Sequence, residues 1–384
     1  MKHTLASAVA AWFVLLLPTH SFSGTWHITV DGSGDAPTIQ AAVDASSDGD
    51  TILVGPGTYT WTNQGTNSAY GMVYVQRGQD RLVIRSELGP QATILDGQFI
   101  GRVLFIQGWN YLTLEGFTIR NGIGMEQGYF VGGGLTMHLS YEVVRNCIFE
   151  ENNAVAGGAV WVGGVSAPQF IDCEFRNNTA ERGGAVYLIN SSSTPQFRGC
   201  RFHHNSASGA GGAIRAVHCG FIIENSIFAF NICGTQGGAI VTQDAWACRL
   251  TACTIAQNSA GEGGSFLYAL TTPDIRVERC VVAFGIGGAP YTVADASGLV
   301  VSCTDTFGNS VSDALPAGAV DGGGNFSLDP QFCGPPGSMN YHLSEGSPCV
   351  VASGPCGVMG ALGTGCGSVR VEPATWGRVK AFYR

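Results

Sequence analysis

Few side chains in this sequence could act together on a substrate. Asp244, preceded by Gln243, lies about one repeat length after Arg215, so a carboxylate and a cation recur at neighbouring positions. Attack on an ester needs a nucleophilic carboxylate, a second carboxyl as acid and a cation for the developing oxyanion. Asp244 and Arg215 are therefore the catalytic candidates, and no second carboxyl completes the trio from adjacent repeats. Binding is the other option. Trp161, Tyr187 and Arg215 fall one repeat apart, with His138 and Gln243 nearby. Aromatic faces so spaced would stack on sugar rings, and the polar neighbours would bond their hydroxyls. His203-His204 is the only histidine pair. It precedes Asn205 and reads as a surface turn, so no metal set is assigned.

The elements that would hold these residues come from an internal repeat. Cys-x-apolar-x-x-Asn, or a variant, starts at Cys147, Cys173, Cys200, Ser226, Cys253 and Cys280, and successive last positions are 26 or 27 residues apart. A weaker copy runs Gly116 to Asn121, and a later one starts at Cys303. Between copies lies Gly-Gly-Ala-apolar at Gly157, Gly183, Gly211 and Gly237, with looser forms at Gly132 and Gly263. Residues then alternate: Leu135, Val160, Val186, Ile214, Ile240 and Phe266 form one set, and Thr136, Trp161, Tyr187, Arg215, Val241 and Leu267 the other. Period two means strand, with the first set inward. Short strands punctuated by Asn and Gly corners describe one coil of a parallel β-helix.

Such coils stack about 4.8 Å apart. Phe149, Phe175, Phe202, Phe228, Ile255 and Val282 would then form an internal column, and Glu150 over Arg176 and Glu174 over Arg201 would form outward charge ladders. Cys147, Cys173, Cys200, Cys253, Cys280 and Cys303 share one repeat position; stacked Cβ atoms lie too far apart for bridges, which predicts six buried thiols. Two bridges are expected among Cys333, Cys349, Cys356 and Cys366, with the pairing open.

At the front, Trp26–Val30 reads as a strand, Thr38–Asp44 as a short helix with Ile39, Ala42 and Val43 on one face, and Thr51–Val54 as a strand. Met1–Ser23 reads as a secretory signal: Lys2 and His3 precede an apolar run, Leu5–Leu17, too short to span a bilayer. The domain reading is a signal at 1–23, an N-terminal cap at 24–65, coils at 66–315, a Cys-rich cap at 316–367 and a basic, aromatic tail at 368–384. The chain has 384 residues, 56 of them glycine, and a net charge of −9. No lysine lies between Gly24 and Val369, so a phosphate backbone is not an expected partner.

Val30-Asp31-Gly32-Ser33-Gly34-Asp35, Thr38-Ile39-Gln40-Ala41-Ala42-Val43 and Gly55-Pro56-Gly57-Thr58-Tyr59 resemble the opening of pectinesterases and other pectin-lyase-like right-handed β-helices. Ala92–Gly97 and Gly116–Gly122 resemble generic coils of that superfamily. The Phe-x-x-Asn and Gly-Gly-Ala-Ile pairs are similar to repeats of chlamydial polymorphic outer membrane proteins, which are exported adhesins. The resemblance implies an all-β fold: a single right-handed parallel β-helix solenoid with a short N-terminal helical cap and a Cys-containing C-terminal cap. Of the pectinesterase motifs only Gln243-Asp244 has a counterpart. Lyases of this kind imply calcium held by several carboxylates, which is the one cofactor the resemblance would bring. The expected function is an exported, non-catalytic protein binding polysaccharide or another cell surface, as an adhesin or envelope component. The alternative is a polysaccharide lyase, hydrolase or esterase acting on acidic glycans.

Overall fold

The computed structural model describes residues 23–64, 70–76, 80–108, 111–124, 132–335, 337–351 and 354–367. The expected signal at 1–23, but for Ser23, and the tail at 368–384 lie outside them.

One coil shows how the sequence writes the fold. Ile148–Glu150 is the first strand, Asn153–Ala156 the second, Val160–Gly163 the third and Gln169–Ile171 the fourth. Left-handed residues turn the corners: Glu151 (φ 55°), Gly157 (φ 65°), Gly164 (φ 70°) and Asp172 (φ 51°). Glycine is required at the second of these, because a Cβ on Gly157 would collide with the Val160 carbonyl oxygen. The next coil repeats the set in register, Phe149 on Phe175 and Trp161 on Tyr187. Among the described residues, stacking builds four parallel faces of 10, 6, 9 and 12 strands, in the order of those four strands. The protein is thus a single all-β parallel solenoid of about ten turns.

The core fills from the files. Phe149, Phe175, Phe202 and Phe228 stack with ring centroids 5.0, 4.5 and 4.6 Å apart. Phe170 and Phe197 on the fourth face form a second stack at 5.0 Å and meet the first edge-on. The N-terminal helix spans Ile39–Ala45, is capped by the Thr38 hydroxyl and buries Ile39, Ala42 and Val43, as its pattern predicts.

The asparagines do something other than turn the chain. The residue before each one takes the left-handed corner: Glu151, Asn177, His204, Phe230 and Gln257. Asn152, Asn178, Asn205, Asn231 and Asn258 point inward and are nearly inaccessible. The Asn178 side-chain amide donates to Phe149 O at 2.9 Å and to Asn205 Oδ1 at 3.0 Å, and Asn205 and Asn231 repeat the pattern one coil on.

The structure corrects four further expectations, three of them through register. Thr118 pairs with Ile148, so Phe117 and Gly122 occupy the Cys and Asn files in the early coil, and the copy read from Gly116 is one residue out. Leu267 pairs with Ile240 and Tyr268 with Val241, so Phe266 and Leu267 are each displaced by one, and Tyr268 takes the outward place. Val281 pairs with Asp305, which puts Thr304 over Cys280, the interval there being 24 residues. Cys303 therefore lies at the left-handed corner (φ 49°), outside the thiol file, and bonds Cys356. Fourth, Glu174 is in register with Arg201, but its carboxylate pairs with Arg176 at 2.9 Å and His203 at 3.0 Å. Glu150–Arg176 forms as expected, at 2.6 Å.

Five cysteines remain in the file as buried thiols, with Ser226 and Thr304 filling equivalent places. In the C-terminal cap, Cys333 bonds Cys366, whereas Cys349 stays a buried thiol; two bridges inside that quartet do not form. The cap folds back over the outside of the first face. There Tyr341 bonds Gln257 at 2.9 Å, and Ala361 N–H bonds the Thr254 hydroxyl. The last strand paired to the coils is Val320–Asp321.

Candidate binding site

The outward file of the third face runs Tyr74, Phe105, Thr136, Trp161, Tyr187, Arg215, Val241, Tyr268 and Thr292. Each residue is held by a paired strand, so its direction is fixed by the sheet. Tyr70 stacks on Tyr74 at 4.6 Å and Tyr74 on Phe105 at 5.4 Å, with the Arg102 guanidinium 5.1 Å from the Phe105 ring. Burial holds that guanidinium at about 10, below its usual range. Sequence reading missed Tyr70, Tyr74, Phe105 and Tyr268. The coils carrying the first three lack the Gly-Gly-Ala signature and are longer, although Val73-Tyr74-Val75 and Leu104-Phe105-Ile106 show the alternation that marks them.

Trp161 and Tyr187 are in register as expected, but the rings are 5% and 7% exposed. They pack with Ala156, Ile189 and Val217 in the angle between the second and third faces, so they do not form a ridge of free ring faces. The half-exposed members of the file are Tyr74, Arg215, Tyr268 and Thr292. Arg215 donates from Nη2 to Gln243 Oε1 at 3.3 Å, and its Nε is buried without a protein acceptor. His138 lies beside Trp161, ring centroids 6.4 Å apart, and burial lowers its pKa.

Asp244 does not join Arg215. Arg215 pairs with Val241, three residues short of Asp244, which turns the corner with φ 52°. Its carboxylate meets the Thr271 hydroxyl and lies 4.0 Å from His218 Nδ1, both one coil away at the same corner. The register thus keeps acid and cation apart, and the two-carboxyl trio for ester attack is not assembled around Arg215. Among the described residues no group of three or more His, Cys, Asp or Glu is placed to hold a metal ion, calcium included.

The family described as right handed beta helix region matches residues 103–214 and 158–328. No curated protein matches the chain. Among solved structures it is similar to pectate lyase Pel9A, at 15% identity with 90% of this chain and 97% of that one covered and a TM-score of 0.61. It is also similar to a rhamnogalacturonan lyase, at 12% identity with 81% and 91% covered and a TM-score of 0.51. These likenesses concern the fold. No described helix is long and apolar enough to cross a membrane. With more than half its length matched and its coils wound in register, the chain belongs to the right-handed β-helix family and has the pectin-lyase-like fold.

Proposed function

We propose that this protein is an exported β-helix that binds carboxylate-bearing polysaccharide along the outer third face, without turning it over, as an adhesin or envelope component. One observation carries the reading: Arg215 is a half-exposed guanidinium with a buried Nε lacking a protein acceptor, in the same outward file as the half-exposed Tyr268 two coils on. Such a group pairs with a carboxylate in fixed geometry. Tyr268 supplies apolar surface for a sugar ring, and Gln243 holds the guanidinium in place. Disulfides in the C-terminal cap agree with an oxidising, extracellular setting. The solved relatives named as lyases support a polysaccharide ligand and keep lysis as the second reading.

The test is a glycan array with the full chain, run beside reducing-sugar and unsaturated-product assays on pectins and alginates. Binding to acidic glycans that Arg215→Ala abolishes, with no product formed, is the expected result. Product that persists in Asp244→Ala and Arg215→Ala variants would replace the binding reading with catalysis at another site.

A further inference from the structure

The His203-His204 pair has a geometry that a surface turn does not need. His203 ends a strand of the first face and His204 turns the corner with φ 55°. Their Nδ1 atoms face each other at 3.0 Å. Each ring is anchored from its far side. His203 Nε2 lies 3.0 Å from Glu174 Oε1, and the same oxygen accepts from Arg176, which in turn holds Glu150. His204 stacks on Phe230 with centroids 5.0 Å apart.

The hydrogen bonds set the tautomers. Glu174 accepts from Arg176 at 2.9 Å as a carboxylate, and it can only accept. In its neutral form His203 therefore carries its proton on Nε2 and offers the Nδ1 lone pair. His204 donates its Nδ1 proton to that lone pair. Moving this proton to His204 Nε2, which solvent can do, leaves two Nδ1 lone pairs converging on one point. Two nitrogens on a tetrahedral zinc lie about 3.4 Å apart, so the rings need to part by only a few tenths of an ångström. A carboxylate on the outer N–H of a ligating histidine is the usual support for such a ligand.

We propose that His203 and His204 form a two-imidazole site for a borderline transition-metal ion, zinc or copper(II), with water completing the coordination. Asn177 occupies the same corner one coil earlier and is exposed, leaving that side of the pair open to solvent water. Hard ions such as calcium are not expected at nitrogen ligands.

Zinc chloride titrated calorimetrically into the untagged full chain at pH 7.5 should bind once per chain. Copper(II) should give an electron paramagnetic resonance spectrum split by two nitrogens. His203→Gln and His204→Gln should each lower affinity at least tenfold, and Glu174→Gln by about tenfold through loss of its support. Unfolding midpoints matched to the parent would show that the variants remain folded. An absence of zinc uptake, or uptake unchanged in the double variant H203Q/H204Q, would overturn the proposal.

Discussion

Asn178 donates through one side-chain amide to the Phe149 carbonyl of the coil before and to the Asn205 amide oxygen of the coil after. Asn205 Oδ1 also accepts the Asn178 backbone N–H at 3.1 Å. One buried side chain therefore ties three successive coils, and each unit depends on its neighbours for satisfaction.

Asn205→Ala should be among the most damaging single changes in the coils. It strands the Phe175 carbonyl and two donors of Asn178 in a dry interior. At roughly 1–3 kcal/mol per unmet buried group, a loss of about 3 kcal/mol or more is expected. Denaturant titration of the variant against Asn153→Ala, an exposed outward residue of the second face, measures it; equal midpoints would refute the role assigned to Asn205.

The thiol file makes a counting prediction. Nine cysteines are buried thiols and four are bridged. Burial pushes Cys147, Cys173 and Cys253 well above the usual thiol range. The folded protein should resist alkylation at pH 8, and the denatured, unreduced chain should titrate nine thiols. A count of one or none would contradict the stacked file.

Reduction should loosen the C-terminal cap before the coils. Cys303–Cys356 closes 53 residues, a constraint of about 4 kcal/mol on the unfolded chain by loop entropy. Cys356→Ser should shorten the lifetime of the 338–366 segment under limited proteolysis while the coils stay intact. Loss of both together would show that the cap does not unfold independently.

Glu142 should make the solenoid less stable in mild alkali. It is fully buried just before the fourth-face strand Val143–Arg145, and desolvation, only partly offset by Ser140, pushes it up to about 8. The folded form thus holds the proton more tightly than the unfolded form. The contribution is fully present below pH 4.5 and is lost as pH rises from there through 8. Asp305, raised to about 7 by burial beside Cys349, acts in the same direction. Glu142→Gln should raise the urea midpoint at pH 8.5 more than at pH 5. A change equal at both pH values would refute the ionisation account.

Arg215→Lys separates charge from shape at the candidate site. Lysine keeps the positive charge but loses the planar fork and the Nε donor. Binding to acidic glycan should fall at least tenfold in Arg215→Lys and further in Arg215→Ala. Val241→Ala, on the same file, should change it little. Full retention in Arg215→Lys would reduce the site to a diffuse charge effect.

The repeat by itself determined the winding. Alternation after Gly-Gly-Ala set which side chains face in, and the recurrence of Cys147, Phe149 and Asn152 every 26 or 27 residues set which of them stack. These are local patterns, because strand period and coil length are written in adjacent residues. Register was decided only in three dimensions. A 24-residue interval moved Cys303 to a corner and Thr304 into the file, and one residue gained before Leu267 put Tyr268 outward, since a single step reverses the face of every side chain that follows. Burial was decided there too. Trp161 and Tyr187 read as outward residues on their own strand, but Ala156 and Val217 pack against them from other parts of the winding. The cap covers Thr254 from more than a hundred residues away, a contact set by where the chain returns and by no pattern within either segment.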